Sequence, residues 1–328
     1  MKWTIPLFAV MLVMAATASL HIGLRIYAPS DVVQAILSPT QSQDDLIIRG
    51  LRVPRTAGAI FVGAALAVAG LLMQTVLRNP LADPGLLGIN AGASFGVVFG
   101  FAVLGISGFV GLSLAALLGS AIAMLGIFAL VTLGKGRLTP TSVVLAGVTL
   151  AAFLGSITQI LIVTDEGTME ALLFWLAGGF ADRDPALLWA AAPMLALGIC
   201  GVCFFTHALD AMVTGDDTAR ALGVDTTRMR IFALCIATVL AALSVVVAGP
   251  VGFVGLVAPH LARLLSVQSH TQLLPLTALI GACLAILADI AARLVASPQE
   301  VPVTATLALV GAPVLVSLVR RRKLRATA

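Results

Sequence analysis

The sequence predicts an all-α, polytopic membrane protein with about ten transmembrane helices. Of its 328 residues, 60% are apolar and only 10% are charged, and the mean hydropathy is +1.09. A soluble domain of this length does not have such a composition. Apolar runs of roughly 20 residues, the length that an α-helix needs to cross the hydrocarbon layer, recur along the chain. We therefore expect a single transmembrane domain over residues 1–328.

The first predicted span runs from Trp3 to Leu24. Its Ala16-Thr-Ala18 triplet resembles a signal-peptide cleavage site, but the apolar run continues past that site and exceeds a typical signal core. We interpret the segment as a retained helix, with cleavage as the alternative. A polar stretch from Tyr27 to Arg52 follows and is expected to lie outside the membrane.

Nine further spans follow in order. The third contains Gly92, Gly96 and Gly100, and this four-residue spacing indicates close helix packing along one face. The eighth is short and is interrupted by glycine and proline. The predicted bounds are approximately Pro54–Leu77, Ile89 onward, Phe109–Leu133, Pro140–Val163, Pro185–Thr206, Ile231–Ala248, Gly249–Arg263, Leu273–Val295 and Val303–Val319.

A polar island, Thr214 to Arg228, interrupts the apolar sequence within a loop at about residues 207–230. Thr214 is expected to cap a short helix together with Asp217, and Gly223 suits the left-handed residue that ends such a helix. Asp225 is expected to cap a second short helix. The island therefore predicts a structured loop.

The composition of this island favours a protein partner over lipid. Ala219 and Leu222 are expected to share one helix face, and charges of both signs surround them. A solvated connector between two spans is the alternative. We interpret the island as a docking element.

Basic residues indicate the orientation. With ten spans, thirteen of the 19 Lys and Arg residues fall on the face that carries both termini, and an excess of such residues marks the cytoplasmic side. Both termini of this multi-pass protein are therefore expected in the cytoplasm. Arg49, Arg52 and Arg55 lie on the opposite face and run against the rule. They indicate either a functional cluster or side chains that snorkel to headgroups.

Several function classes are disfavoured. No P-loop motif is present, and no carboxylate lies at the middle of spans two to seven, which argues against nucleotide hydrolysis and against an ion-coupled transporter. Cys200, Cys203 and His207 have metal-like spacing but lack a fourth ligand, and His260 beside a proline is interpreted as structural. We expect no metal, no cofactor bound by this chain and no nucleic-acid partner.

Six spaced motifs resemble the iron–siderophore and cobalamin permease family, the membrane subunits of type II ABC importers. They cover the whole chain in order. The resemblance implies ten helices per subunit, a second permease subunit as homodimer or heterodimer, two cytoplasmic ATPase subunits with their ATP and Mg, and an external or periplasmic binding protein. The motifs are Arg52–Arg55, Gly63–Gly70, Arg78–Gly88, Ala219–Val224, Gly249–His260 and Ala288–Arg293.

The resemblance also implies three groups of functional residues. The island corresponds to the coupling helices that sit in a groove of the ATPase. The arginines on the opposite face correspond to positions that meet acidic residues of the binding protein, and two further sets correspond to cytoplasmic gates. These residues are Asp216, Asp217, Ala219, Arg220, Leu222 and Gly223 for coupling; Arg52, Arg55 and Arg293 for docking; and Thr141, Ser142, Asn79 and Leu81 for the gates.

The function implied by the resemblance is that of a permease in the bacterial inner membrane, without ATPase activity of its own, that imports a ferric siderophore or another ferric chelate. Haem and cobalamin permeases share the same motifs and stay open as alternatives. An intramembrane enzyme is disfavoured because no pair of nucleophile and base is evident.

Overall fold

The computed structural model describes residues 4–23, 25–40, 42–85, 87–133, 139–164, 175–181, 183–265, 269–295 and 299–326, and these ranges contain helices and no strands. The helices are α1 (Thr4–His21), α2 (Pro29–Leu37), α3 (Gln43–Ile47), α4 (Val53–Val76), α5 (Ile89–Ala102), α6 (Phe109–Leu133), α7 (Pro140–Thr164), α8 (Pro185–Val202), α9 (Thr206–Thr214), α10 (Asp216–Ala221), α11 (Thr226–Ala248), α12 (Val254–Leu264), α13 (His270–Val295) and α14 (Val303–Ala326).

The ten predicted spans correspond in order to helices of the structure. Seven helical segments in the described residues are long and apolar enough to cross a membrane, and three shorter apolar helices, α5, α12 and the first part of α14, complete the set. The prediction of an all-α polytopic membrane protein is confirmed. The basic turn at residues 134–137 and most of the acidic stretch at 164–184 lie outside the described residues.

Helices α4, α11 and α13 form the centre of the bundle. Most residues of these three helices are buried, whereas few residues of α1 and α7 are. A Cβ added to Gly63 of α4 would lie 2.5 Å from the carbonyl oxygen of Gly281 in α13, so these backbones touch. The predicted glycine stripe also packs, since a Cβ on Gly92 would lie 2.5 Å from the Gly119 oxygen of α6.

The helix directions define two ends of the bundle. Helices α1 and α13 finish, and α4 begins, at one end, which we call the arginine end because Arg52, Arg55 and Arg293 lie there. Helix α4 finishes, and α11 and α13 begin, at the opposite end beside α9 and α10. We call this the coupling-loop end.

The stretch from Tyr27 to Arg52, expected only to be polar, contains helices. Pro29 starts α2 at a first-turn position where a missing N–H is tolerated. Ser42 caps α3 by accepting the Asp45 N–H at 3.1 Å. A π-helical turn, Ile48–Arg52, joins α3 to α4, and its wider spacing precedes Pro54, which cannot donate to the preceding turn. The result is one helical segment of 34 residues, Gln43–Val76.

Two other boundaries differ from the prediction. The sixth span continues through a 3-10 turn, Cys203–Phe205, into α9. The seventh begins at Thr226 instead of near Ile231, because the Asp225 carboxylate accepts the N–H groups of Thr227 and Arg228 at 3.1 and 3.0 Å. Asp225 is a cap, as expected, but it caps the long α11 and not a second short helix.

Candidate functional site

Arg55, in the first turn of α4, is held between two carboxylates at the arginine end. Its Nε and Nη2 donate to Oδ1 of Asp289 at 3.0 and 2.9 Å. Its Nη1 and Nη2 donate to Glu300 at 2.9 and 2.8 Å. Asp289, on α13, is fully buried. Forked pairs of this kind are among the strongest and most directional polar contacts in proteins, so Arg55 joins α4 to α13 and to the segment after it.

Arg293, one turn after Asp289 on the same helix, is also buried. Its Nε donates to Asp289 Oδ2 at 3.1 Å. Its Nη1 donates to the carbonyl oxygens of Ser19 and Ile22 at 3.0 and 3.1 Å, which are among the last carbonyls of α1. A cation at a helix C-terminus satisfies such orphan acceptors. Arg293 therefore fixes the end of α1 against α13.

Arg52 completes the cluster and is buried as well. Its Nη1 donates to the Leu20 carbonyl at 2.7 Å, and its Nη2 donates to the Arg25 carbonyl. The guanidinium lies 4.4 Å from the centre of the Tyr27 ring, a cation–π distance. Arg52 thus closes the turn between α1 and α2.

Arg52, Arg55 and Arg293 do not form a freely exposed basic patch. Arg52 and Arg293 are turned inward and bind backbone carbonyls, so they are neither exposed charges nor side chains that snorkel. Arg55 lines a cleft of about 100 Å³ together with Glu300, Phe180 and Arg183, and its guanidinium is the one of the three that reaches this opening. Docking by these residues stays a prediction.

At the opposite end, Asp216 ties the coupling loop to the membrane helices. Its carboxylate accepts from Nη2 of Arg78, just after α4, and from Nη2 of Arg230, on α11, at 3.3 Å. Burial acts to raise the pKa of Asp216, but the charges and hydrogen bonds of Arg230 and Arg78 outweigh it and lower that pKa below its ordinary value. Asp216 is therefore an anchor that faces the protein.

The rest of α10 divides into an inner and an outer side. Ala219 is fully buried, whereas Leu222 is 67% exposed. The side chains of Asp217 and Arg220 also point outward and lie 3.6 Å apart. The expectation that Ala219 and Leu222 share one face is wrong, because Ala219 is buried in the protein while Leu222, one residue past the end of the helix at Ala221, is exposed.

The glycine after α10 matches the prediction, and the residue expected to cap the start of this helix does not. Gly223 has φ +83°, the left-handed conformation expected there. Thr214 does not cap α10, since its hydroxyl donates back to the Ala211 carbonyl at 2.8 Å. Gly215, with φ +130°, occupies the N-cap position, and an extended glycine separates α9 from α10.

A groove of about 540 Å³ opens beside this turn. Its floor is apolar, and Asp225 and Arg228 at its rim form a 3.1 Å ion pair. Phe205 and Phe232 meet edge to face inside it, with ring centres 4.7 Å apart. The outer side of α10 and this groove make one continuous surface of apolar and charged groups.

A second carboxylate, Asp210 on α9, was not singled out in the sequence. It accepts the backbone N–H of His270 at 2.8 Å and lies 2.6 Å from His270 Nδ1. His270 Nε2 lies 2.8 Å from the Thr75 hydroxyl in the last turn of α4. Asp210 therefore caps α13, the carboxylate favouring its helix N-terminus. The only sequence signal is the Ser269-His270 pair before the ninth span.

The predicted gate residues lie at two helix boundaries. Ser142 exchanges hydrogen bonds with Thr139, whose N–H it accepts at 3.1 Å, and donates from its own N–H to the Thr139 hydroxyl at 3.3 Å. This reciprocal arrangement is a capping box, so Ser142 has a structural role at the start of α7. Asn79 accepts the Leu81 N–H at 3.0 Å. Thr141 is exposed and Leu81 is half-buried.

The metal-like spacing of Cys200, Cys203 and His207 has no structural counterpart in the described part of the chain. Both thiols are exposed. No group of three or more His, Cys, Asp or Glu side chains there could hold a metal ion. The candidate functional residues therefore lie at the arginine end and at the coupling-loop end.

The chain was compared with known protein families, and the matched region includes both ends of the bundle. A model of the FecCD transport family matches residues 11–321. This chain belongs to the FecCD transport family. Among relatives of this FecCD protein, the probable siderophore permease YfiZ of Bacillus subtilis is 38% identical over 98% of this chain and 96% of its own length. The ferric enterobactin permease FepD of Escherichia coli is 39% identical over 97% and 95%.

A solved structure supports the same assignment. A transporter assigned to the metal-chelate ABC type, in an inward-facing conformation, superposes on this FecCD protein with a TM-score of 0.83, at 28% identity. It covers 97% of this chain, and this chain covers 99% of it. The arginine end and the coupling loop both lie inside the matched family region.

Proposed function

We propose that this FecCD protein is the permease subunit of an ATP-driven importer that carries a ferric siderophore or ferric citrate into the cytoplasm. Relatives that match along the whole chain support this substrate class, since their names specify enterobactin, siderophore and Fe(3+) dicitrate permeases. A cobalamin permease of Halobacterium salinarum is 34% identical over 86% of this chain. Cobalamin is therefore the second candidate, and haem stays the third.

The observation that carries the proposal is the division of the coupling loop. Asp216 and Ala219 hold α10 against α4 and α11, while Leu222, Asp217 and Arg220 face outward. An exposed apolar side chain surrounded by charges matches the apolar core and polar rim of a protein interface. In the proposed complex, this surface and the adjacent groove dock on a cytoplasmic ATPase, which supplies ATP, Mg and the energy for transport.

The arginine end is the proposed site for the external binding protein. Arg55 reaches the cleft with Glu300, so a carboxylate of the partner can approach its guanidinium there. Arg52 and Arg293 act on docking through the shape of this end, because their own hydrogen bonds are made inside the protein. With this orientation both termini lie in the cytoplasm.

A second permease subunit completes the proposed pathway. Helix α7 buries little of its surface and exposes hydroxyl groups at Thr149 and Ser156, which bond within their own helix. A weakly polar helix face of this kind suits a pathway between two subunits. Thr141, Ser142, Asn79 and Leu81 lie at the proposed cytoplasmic gates of that pathway, where helix capping and gating are compatible roles.

Substrate uptake tests the proposal most directly. A deletion strain that regains the chain with its partner subunits is given labelled ferric enterobactin, ferric citrate, haem or cobalamin in parallel. We expect uptake of a ferric chelate and no uptake of the other two. Uptake of cobalamin alone would replace the substrate class, and flux driven by an ion gradient without any ATPase would overturn the importer itself.

A further inference from the structure

Helix α2, at the arginine end, has three chemically different faces. Val32 and Ala35 are buried. At 100° per residue, the next sector of the helix carries Val33, Ile36 and Leu37, which are 55%, 47% and 75% exposed. The remaining sector, on the far side of those residues, is polar and exposed. Its members are Ser30, Asp31, Gln34 and Ser38.

The buried face of α2 packs on the end of the bundle. Val32 and Ala35 form a small core with Tyr27 and Ile48, against which Leu20 of α1 also packs. The helix contacts α1, α3 and the π-helical turn. Because α1 is the least buried of the long apolar helices, this contact places α2 at the periphery of the bundle, over the end of an outer helix.

The apolar sector of α2 is continued by neighbouring residues. Ile26 is 78% exposed, and Leu46 and Leu51, on the segment that leads into α4, are 64% and 55% exposed. Leu46 and Leu51 belong to segments that contact α2, and a group of exposed apolar side chains on adjoining segments is unusual in contact with water. Because these residues flank membrane-crossing helices, the surface adjoins the level at which the hydrocarbon layer ends.

A groove beside this surface has the chemistry of a lipid contact. It has a volume of about 370 Å³ and is lined by Pro39, Leu46 and Gly50, with Arg49 and Asp45 at its edge. Arg49 is exposed, and the Arg25 side chain is 67% exposed although it pairs with Asp44. Exposed guanidinium groups next to apolar side chains suit anionic headgroups above acyl chains.

We propose that α2 lies in the plane of the membrane surface, with Val33, Ile36 and Leu37 immersed in the boundary between headgroups and acyl chains. The polar sector then faces water and the buried sector faces the bundle, so each of the three faces meets a matching environment. Lipid is the occupant of the apolar face because α2 packs over the end of α1, an outer membrane-crossing helix, at the level where the hydrocarbon layer ends.

Site-directed spin labelling tests this placement in the full-length protein. The four cysteines, Cys200, Cys203, Cys235 and Cys283, are replaced by serine, and single cysteines are labelled at Ile36 or Leu37. Gln34, on the same helix, is the matched control. Collision rates with oxygen and with a water-soluble nickel chelate are measured in nanodiscs of phosphatidylethanolamine and phosphatidylglycerol, with the chain reconstituted together with its partner subunits.

The expected result is a higher ratio of oxygen to nickel accessibility at Ile36 and Leu37 than at Gln34, because side chains immersed in the headgroup and acyl boundary are shielded from a water-soluble chelate. A ratio at Ile36 equal to that at Gln34 would mean that the helix stands in water and would overturn the proposal. Protection of Ile36 from both reagents would assign the face to a protein contact and overturn it equally.

A second readout guards against disturbance by the spin label. A fluorophore at Leu37 is expected to be quenched by lipids brominated on their acyl chains, and quenching at Ser38 is expected to be weaker. Equal quenching at both positions, or no quenching at Leu37, would contradict a lipid-facing sector.

Discussion

The arginine end and the coupling-loop end are both rich in charge, but they direct it differently. At the arginine end, Arg52 and Arg293 turn inward and bind backbone carbonyls of the chain itself. At the coupling-loop end, Asp216 turns inward while Leu222 and Arg220, a few residues away, stay exposed. The two buried arginines of one end are satisfied by the chain itself, whereas the other end leaves apolar and charged side chains exposed, where we propose that a partner docks. We therefore expect substitutions at the first to affect folding and at the second to affect coupling.

The largest expected effect on stability is that of removing Asp289. In Asp289→Ala, Arg55 loses one of its two carboxylates and the buried Arg293 loses its only carboxylate among the contacts described above. Leaving buried charge without its partner costs about 3–5 kcal/mol. We expect a large fall in unfolding temperature in detergent, together with lower membrane abundance.

The matched control at that end is Glu300→Gln, which removes the other, partly exposed partner of Arg55. If Asp289→Ala unfolds at the wild-type temperature, the internal network does not hold the arginine end together.

At the coupling-loop end, the largest expected effect falls on Leu222. In Leu222→Asp, a charge replaces an exposed apolar side chain, so folding is expected to be unchanged while docking on the ATPase loses about 2 kcal/mol or more, as for central interface residues. The measurement is ATP hydrolysis stimulated by the loaded binding protein in the reconstituted complex.

Ala219 offers a contrast three residues away. Because it is fully buried, Ala219→Asp is expected to lower abundance, whereas Leu222→Asp is not. Wild-type stimulation in Leu222→Asp at normal abundance would remove Leu222 from the docking surface.

Asp216→Asn is expected to have a smaller effect than Leu222→Asp, and to affect coupling more than docking. The charge-assisted bonds to Arg78 and Arg230 weaken by about 1–2 kcal/mol, so ATPase docking persists while transport per ATP falls. Uptake and hydrolysis measured on the same proteoliposomes give this ratio. An unchanged ratio would show that α10 transmits movement without this anchor.

The pH dependence of the Asp216 anchor follows from its pKa, which is lower in the folded protein than the ordinary value. A carboxylate with a lowered pKa stabilises the fold above its unfolded pKa of about 3.9, and that contribution is lost as the pH falls through the folded value. The anchor is therefore expected to be intact from about pH 5 to pH 8. Coupling that fell over this range in the wild type, but not in Asp216→Asn, would contradict the assignment.

The smallest expected effect is that of Glu300→Gln on docking. A partly exposed pair contributes about 0–1 kcal/mol, so stability is expected to change little. Arg55 then has one carboxylate fewer to pair with inside the protein and is more available to a carboxylate of the partner. We therefore expect faster association with the binding protein, most evident at low salt. Surface binding kinetics at several salt concentrations provide the measurement, and slower association would show that Glu300 itself contacts the partner.

The positions of the helices could be predicted from the sequence because hydropathy is a local property. Helix α6 begins and ends where its apolar run does, and Gly223 adopts the predicted conformation. The contacts between helices could not be predicted in this way, since Arg55 and Asp289 are 234 residues apart and nothing in either segment identifies its partner. For the same reason, the pairing of Asp210 with His270 could not be predicted.

Sequence reasoning was least informative where one residue type serves two environments. Arg52 runs against the charge rule, which suggested a functional cluster or a snorkelling side chain, but arginine also caps helix ends inside a protein, and that choice depends on what lies opposite. Likewise, the apolar residues of α2 are too few for a span and were counted within a polar stretch. Their angular order, visible only once the helix is known, carries the information.

The π-helical turn at Ile48–Arg52 sets the rotational phase between α4 and everything before it. Deleting one residue there would restore an ordinary helix and rotate the preceding segment by about 100° relative to the membrane helices. Ile48 would leave the small core around Tyr27, and the apolar sector of α2 would swing away from the lipid. The length of a five-residue turn, more than any single side chain, determines which way this end of the chain faces.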